Sequence, residues 1–198
     1  MTDAQRRAIW LRFADQFLDS EERTYIPTAA LACVEAGCSI AEARAIWRYE
    51  VTPAVWPNVW SVAGEWGVWD ESWLVERIER LRRRWINRVQ PLAAALYRSR
   101  AWHLDSCFRA IAGCMAVLES TPQGRRAALA ADLETLAQIY FDFLASRAVV
   151  RPELPTLYAE TFLPIFRPLA VRDPLSKESP EGCDARVREA LARSGGAG

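Results

Sequence analysis

Hydrophobic residues recur along most of the chain at spacings of three and four, which is the period of an α-helix. Trp10, Phe13 and Phe17, for example, share one face of a first helix. No segment shows the strict alternation of apolar and polar residues that predicts a half-buried strand. The pattern therefore predicts an all-α fold, a multi-helix bundle or array with one irregular Trp-rich connecting segment.

Capping residues, glycine and proline mark where these helices begin and end. Thr2–Gln5 and Ser39–Glu42 have the spacing of capping boxes, so each predicts a helix start. Gly37 is a predicted terminator of the second helix. The helix that follows Ser39 is predicted to stop before Pro53, because proline disfavours helical backbone in the residue before it.

The second half of the chain carries the longest helical seams. Asp70 is the predicted N-cap of a long helix that Pro91 bends or ends. Two further seams consist of Leu104, Phe108, Ile111, Met115 and Leu118, and of Leu129, Leu133, Leu136, Tyr140 and Phe143. Four prolines between residues 152 and 168 leave room only for a short helix around Leu157–Leu163.

We interpret these elements as two helical units and a tail. Residues 1–90 would form an N-terminal helical domain with the Trp-rich loop, and residues 91–172 a C-terminal helical bundle. Residues 173–198 are polar and rich in glycine and proline, which predicts a mobile tail. A single continuous array of helices fits the same pattern, since 198 residues suffice for one substantial core or two small ones.

Five of the nine tryptophans lie within eighteen residues, at positions 56, 60, 66, 69 and 73. Pro57, Gly64 and Gly67 interrupt this segment, so we expect a loop with one short helical turn. An indole can bury a large apolar area but needs a partner for its N–H. Such a segment either fills the core of the protein or offers anchors to another protein.

Charges balance over the whole chain but are unevenly distributed. Residues 1–76 hold twelve acidic and six basic side chains, whereas residues 77–100 hold eight arginines and one glutamate. Arg77, Arg80, Arg84 and Arg88 share a helical face that would suit the phosphates of a nucleic acid. Because the net charge is zero, a solvated face paired with acids of neighbouring helices is the simpler interpretation.

The chain offers no recognisable catalytic or metal-binding signature. His103, the only histidine, shares a helical face with Cys107 and Cys114, but no second ligand cluster accompanies them for zinc. No Gly-rich phosphate loop is present. We therefore expect a non-enzymatic protein without a metal or cofactor.

The cysteines and the hydropathy of the chain indicate its cellular compartment. The five cysteines are odd in number and mostly lie in apolar helical patterns, which favours reduced, buried thiols. The N-terminus lacks an apolar secretory core, and no uninterrupted apolar run has membrane-spanning length. We expect a cytoplasmic protein that does not bind a membrane.

Several short strings in roughly residues 6–82 resemble a small uncharacterised bacterial domain family. They are Phe17-Leu18-Asp19, Arg48-Tyr49-Glu50-Val51 with Pro53, Asn58, Val62-Ala63-Gly64-Glu65-Trp66, and Trp73-Leu74. The most specific string is Val62–Trp66, and we recognise no resemblance for residues 85–198. The resemblance implies a short, helical, cytoplasmic protein of undetermined activity with no assigned catalytic residues. Small proteins of this kind are often antidotes encoded beside a toxin.

The leading hypothesis is an immunity protein that occludes the active site of a bacterial toxin or effector. The predicted partner-binding residues are Trp56, Trp60, Trp69, Glu50, Glu65, Asp70 and Glu71. The predicted structural residues are Arg48, Tyr49, Trp66 and Trp73. In a structural role, Arg48 or Glu65 would hold the irregular loop through hydrogen bonds to backbone groups that the loop leaves unpaired. The hypothesis requires some of the indoles to stay exposed in the isolated protein.

Three other functions fit the sequence. An effector adaptor or chaperone of a secretion system would use the C-terminal seam, and a nucleic-acid-binding protein would use the arginine row. An unidentified enzyme would need a polar pocket around Glu50, Glu65 and His103. An antidote rescues growth when its neighbouring gene is expressed, whereas a chaperone raises that neighbour's solubility or export.

Overall fold

The structure, a computed structural model, describes residues 1–17, 22–59, 69–85, 101–141, 154–171 and 179–195. All regular secondary structure in these ranges is helical, which confirms the predicted all-α fold. The helices are α1 (Asp3–Ala14), α2 (Ile26–Glu35), α3 (Ile40–Ile46), α4 (Thr52–Val59), α5 (Glu71–Trp85), α6 (Ala101–Ser120), α7 (Gln123–Phe141), α8 (Leu154–Leu157), α9 (Leu163–Val171) and α10 (Pro180–Gly195). Short 3₁₀ turns cover Asp15–Phe17 and Glu22–Tyr25.

The two predicted capping boxes begin α1 and α3. The hydroxyl of Thr2 accepts from the backbone N–H of Gln5 at 3.2 Å, and the side chain of Gln5 accepts from the N–H of Thr2 at 2.7 Å. Ser39 and Glu42 form the same reciprocal pair at 3.3 and 2.9 Å. Each box satisfies N–H groups that have no partner inside the helix, which is why four residues suffice to predict the start.

Gly37 ends α2 in a Schellman motif, as predicted for a terminator. Its φ is +65°, in the left-handed region that favours glycine. The N–H of Gly37 donates to the carbonyl of Val34 at 3.1 Å, and the N–H of Cys38 donates to the carbonyl of Cys33 at 2.9 Å. The chain then turns directly into α3.

The helix after Ser39 continues past Pro53, so the predicted stop is wrong. Between α3 and α4 the backbone widens into a π turn over Trp47–Val51, in which the N–H of Thr52 donates to the carbonyl of Trp47. A proline ring ordinarily collides with the carbonyl four residues before it. The wider turn relieves that collision immediately before Pro53, and the Thr52 hydroxyl also donates to the Trp47 carbonyl at 2.7 Å.

A second π turn, over Tyr158–Phe162, precedes Pro164 in the same way. Here the N–H of Leu163 donates to the carbonyl of Tyr158. The helical segment from 154 to 171 is therefore longer than the predicted Leu157–Leu163. Both segments carry another proline four residues further on, Pro57 and Pro168.

The core is built around α2, which contacts α1, α6 and α7. Trp47 is fully buried, with its ring centroid 5.4 Å from that of Phe13 and 6.3 Å from that of Phe108. The predicted seams supply further buried residues, Ile111, Met115, Leu118, Leu133, Leu136 and Tyr140. Buried residues from both sides of residue 90 form one hydrophobic cluster, and a domain boundary there stays a prediction.

Helix α10 packs against α7 and lies within the predicted mobile tail. Val187 and Ala190 are buried, and the guanidinium of buried Arg186 donates to the carbonyls of Ile139 and Tyr140 at 3.3 and 3.2 Å. A cation is favourable there because the last carbonyls of a helix carry partial negative charge. An apolar face and a buried cap thus attach residues 180–195 to α7, and the mobility of the tail 173–198 stays a prediction.

Candidate partner-binding surface

The first turn of α5 carries exposed acidic groups. Asp70 is the N-cap, as predicted: one carboxylate oxygen accepts from the hydroxyl of Ser72 at 2.6 Å and from the backbone N–H of Trp73 at 2.8 Å. These two hydrogen bonds, the first from Ser72, hold the pKa of Asp70 below its usual value. The side chains of Asp70 and Glu71 both lie in solvent.

Trp69 is buried, which corrects its predicted role as an exposed anchor. Its side chain is 5% exposed, and its indole N–H donates to the carbonyl of Ala14 at 2.9 Å. That carbonyl belongs to the last turn of α1, where backbone acceptors lack partners within the helix. The sequence does carry a signal for this burial, because a hydrophobic residue directly before an N-cap commonly packs on the fourth residue of the helix, here buried Leu74.

Trp73 is the exposed indole beside it, although it was predicted to be structural. It is 39% exposed, and its ring lies parallel to that of Trp69, at 3° with centroids 6.3 Å apart. The Arg77 guanidinium carbon lies 5.2 Å from the Trp73 ring centroid. Arg77 is itself fixed, because its Nε donates to the carbonyl of Ala54 at 2.6 Å. Trp73 therefore presents an aromatic ring to solvent while being held by two neighbours.

Asp15 completes this surface from the end of α1. Burial, the largest cause, raises the pKa of Asp15, and the nearby Glu71 carboxylate raises it further, while Arg12 at 3.6 Å opposes both. The charged form of Asp15 is thus disfavoured in the isolated protein. We define the α5 surface as Asp15, Asp70, Glu71 and Trp73.

Glu50 lies in a buried ion-pair network, which corrects its predicted role as a partner contact. Arg6 donates to both oxygens of the carboxylate, with its Nε at 3.0 Å, and the Trp10 indole donates at 2.7 Å. The Nε of Arg82 lies 3.7 Å away, and the Arg82 guanidinium lies over the Trp10 ring. The hydrogen bond to Glu50 raises the pKa of Arg6. Glu50 therefore holds α1, the first π turn and α5 together.

A cleft of about 280 Å³ opens beside this network, between α1 and α5. It is lined by Asp3, Arg7, Trp10, Glu79, Arg82 and Arg83. Glu79 pairs with Arg7 at 2.6 Å and with Arg83 at 3.2 Å, which lowers the pKa of Glu79. Among the described arginines of α5, Arg82 lies near Glu50 of a neighbouring element, as predicted, whereas Arg80 and Arg83 pair with Glu76 and Glu79 of α5 itself. The side chains at positions 84 and 88 lie outside the described residues.

Tyr49 lies on the surface of the first π turn and is 41% exposed. The guanidinium carbon of Arg48 lies 5.6 Å from its ring centroid. Both residues were predicted to be structural, with Arg48 holding the Trp-rich loop, but residues 60–68 lie outside the described ranges, as does the side chain of Trp56. The roles assigned to Trp56, Trp60, Glu65 and Trp66 therefore stay predictions.

The described part of the chain contains no cluster of three side chains able to ligate a metal. The side chain of His103 is outside that part, and Cys107 and Cys114 are buried in the core. All five cysteines are reduced and buried, as the sequence predicted. Within the same ranges, no single helix is both long enough and apolar enough to cross a membrane.

The architecture and this surface define an all-helical protein with an acidic, aromatic face at the start of α5. The chain belongs to the family DUF7079, a domain of unknown function, whose family model matches residues 4–113. This confirms the resemblance to an uncharacterised domain family and extends it from α1 into α6. No curated protein and no solved structure matches the chain.

Proposed function

We propose that this protein is a non-enzymatic, cytoplasmic, bacterial protein whose role is to bind another protein. Its most concrete form is an immunity protein that neutralises a toxin or effector by covering the active site. The observation that supports this is the half-exposed indole of Trp73, held between Trp69 and Arg77. A rigid aromatic side chain is a favourable anchor because little conformational entropy is lost when a partner covers it.

The charges around Trp73 indicate the chemistry of the partner. Asp70 and Glu71 are exposed, and the charged form of Asp15 is disfavoured by burial and by Glu71. A cationic side chain of a partner would offset that penalty and pair with the exposed acids. We therefore expect a partner with lysine or arginine side chains around a recess that accepts an indole, which is the chemistry of a basic catalytic cleft.

In this proposal Trp73 takes the anchoring role that the sequence assigned to Trp69. The buried ring of Trp69 lies parallel to that of Trp73 and supports it, and Glu50 holds α1 against α5 through Arg6 and Arg82. The acids Asp70 and Glu71 keep their predicted roles.

An effector adaptor has less support. It was expected to dock its partner on the apolar seam of the C-terminal helices, but Phe108, Ile111 and Met115 of that seam are buried in the core. Exposing them would require α6 to separate from its neighbours.

The test is co-expression with the product of the adjacent open reading frame, combined with a binding measurement on the two purified proteins. We expect the wild-type chain to restore growth. Loss of a central aromatic anchor costs about 2 kcal/mol or more, so Trp73→Ala should weaken binding by more than about tenfold. Glu71→Gln should weaken binding less than Trp73→Ala does, because it removes one exposed charge. Its effect should be larger at low salt than at high salt, since salt screens exposed charges.

The matched control is Glu189→Gln on α10, which makes the same charge change at a side chain that is 71% exposed and remote in the fold. It should bind and rescue like wild type. Unchanged binding by Trp73→Ala would exclude the α5 surface as the interface. A neighbour that becomes soluble or exported without restored growth would identify an adaptor instead.

A further inference from the structure

Cys33 and Cys38 occupy the two contacting positions of the Schellman motif that ends α2. In this motif the residue after the left-handed glycine commonly makes a hydrophobic contact with the residue five positions before it. Here those two residues are both cysteines, joined by the 2.9 Å hydrogen bond from the N–H of Cys38 to the carbonyl of Cys33. Side chains that converge from adjacent backbones are what a disulfide requires.

The two thiols contact each other and differ in character. Cys33 is fully buried, whereas Cys38 keeps 3% exposure and donates to the carbonyl of Ser39 at 3.6 Å. The hydrogen bond between the thiols raises the pKa of Cys33, as does burial, and the same bond lowers the pKa of Cys38. Arg6 and the N-terminal amino group also lower the pKa of Cys38, while burial and Glu42 oppose them. Cys38 is thus the better nucleophile and Cys33 the proton donor beside it.

The other cysteines lack this arrangement. Cys107 and Cys114 are seven residues apart on α6, which corresponds to about 10 Å of helix rise and is too far for a disulfide. Burial raises the pKa of Cys114 well above its usual value, so this thiol stays protonated. Cys183 lies on α10, at the opposite end of the chain.

We propose that Cys33 and Cys38 form an oxidation site, at which an oxidant of the peroxide class converts the dithiol into an intramolecular disulfide. The Cys38 thiolate attacks one peroxide oxygen and the O–O bond breaks, which gives a sulfenic acid on Cys38 and one water after protonation. The Cys33 sulfur then attacks the Cys38 sulfur, loses its proton and displaces the sulfenic oxygen as a second water. Two thiols are oxidised, two electrons reduce the peroxide, and one S–S bond forms.

The experiment treats the folded, reduced protein with hydrogen peroxide, then unfolds it, alkylates the remaining thiols and analyses tryptic peptides by mass. Cleavage after Arg23 and Arg44 leaves both cysteines in one peptide. We expect that peptide to lose two hydrogen atoms and to resist alkylation, so that two of the five thiols disappear. Dithiothreitol should restore both. Disulfides that join either residue to another cysteine, or no loss of the two hydrogens at excess peroxide, would overturn the proposal.

Single variants separate the two roles. Cys33→Ser should leave a sulfenic acid on Cys38 that dimedone traps, and Cys38→Ser should leave Cys33 unoxidised. Cys107→Ser, a buried cysteine on α6, is the matched control and should form the disulfide like wild type. Equal dimedone labelling of Cys33 and Cys38 in the two variants would contradict the assignment of Cys38 as the attacking residue.

Discussion

A single buried carboxylate joins parts of the chain that are far apart in sequence. Glu50 binds Arg6 and Trp10, which precede it by 44 and 40 residues. Arg6 and Trp10 lie four residues apart and therefore on one face of α1, so two donors converge on the same acceptor. The Coulomb interaction is strong at this site because little water screens it.

Glu50→Ala should lower the free energy of unfolding by about 3 kcal/mol or more, because it leaves Arg6 and the Trp10 indole without their acceptor. Urea unfolding measures the loss. Glu76→Ala is the control, since Glu76 is exposed and pairs along the helix with Arg80 at 2.5 Å. If both variants lose equally little stability, the network does not stabilise the fold.

Asp15 should make stability depend on pH in the opposite sense to an acid whose pKa is lowered by folding. Because burial raises its pKa in the folded state, Asp15 contributes fully to stability below about pH 4, where it is protonated in both states. That contribution is lost as the pH rises through the raised pKa. Asp15→Asn should therefore gain stability relative to wild type between pH 3 and pH 7, measured by urea unfolding at each pH. A difference that is independent of pH would contradict this sign.

The starts and ends of helices could be predicted from neighbouring residues, whereas contacts between helices far apart in sequence could not. The capping boxes at Thr2 and Ser39 and the terminator at Gly37 depend on residues within five positions, so the sequence contains the whole interaction. The exposure of Trp73 depends on how α5 packs against α1 and α4, and no spacing along the chain reveals it. The Glu50 network was missed for the same reason.

The prolines show where a local rule was applied too strictly. Pro53 and Pro164 would break a regular α-helix, but each follows a π turn that moves the obstructing carbonyl aside. The two segments share a large buried aromatic residue six positions before the first proline, Trp47 and Tyr158. In this chain, two prolines spaced by four residues, with a buried aromatic residue six positions before the first of them, therefore mark a helix that contains a π turn.

Alanine substitutions at two glycines test how closely α6 and α9 approach each other. Gly113 on α6 faces Ile165 of α9, and Gly124 on α7 is the control. A Cβ added at Gly113 would lie 3.1 Å from Cγ1 of Ile165, whereas a Cβ at Gly124 would meet nothing within 4 Å. Alanine favours a helix over glycine, so Gly124→Ala should raise the free energy of unfolding by about 0.5 kcal/mol. Gly113→Ala should gain less, because Ile165 must shift. If both variants gain equally in free energy of unfolding, measured by thermal or urea unfolding, then Ile165 moves aside without a measurable cost.

The C-terminal helix α10 completes the hydrophobic core that the earlier helices form. Tyr140 of α7 is buried, with its ring centroid 5.4 Å from that of Phe162, and α10 covers α7 beside them. The hydroxyl of Tyr158 donates to Asp184 of α10 at 3.0 Å, and this interaction and burial, the larger cause, raise the pKa of Tyr158. The family match ends at residue 113, so this closing half lies outside it.

Arg186 should decide whether α10 stays docked. Its guanidinium caps the last turn of α7 from a buried position, and hydrogen bonds of a charged group contribute about 1.5–3 kcal/mol. Arg186→Ala should therefore destabilise the protein by about 2 kcal/mol and speed amide hydrogen exchange in α10 first, because the lost hydrogen bonds join that helix to α7. Arg188→Ala, an exposed arginine on the same helix, is the control and should leave exchange unchanged. Identical exchange in the two variants would mean that the apolar face of α10 holds it without the cap.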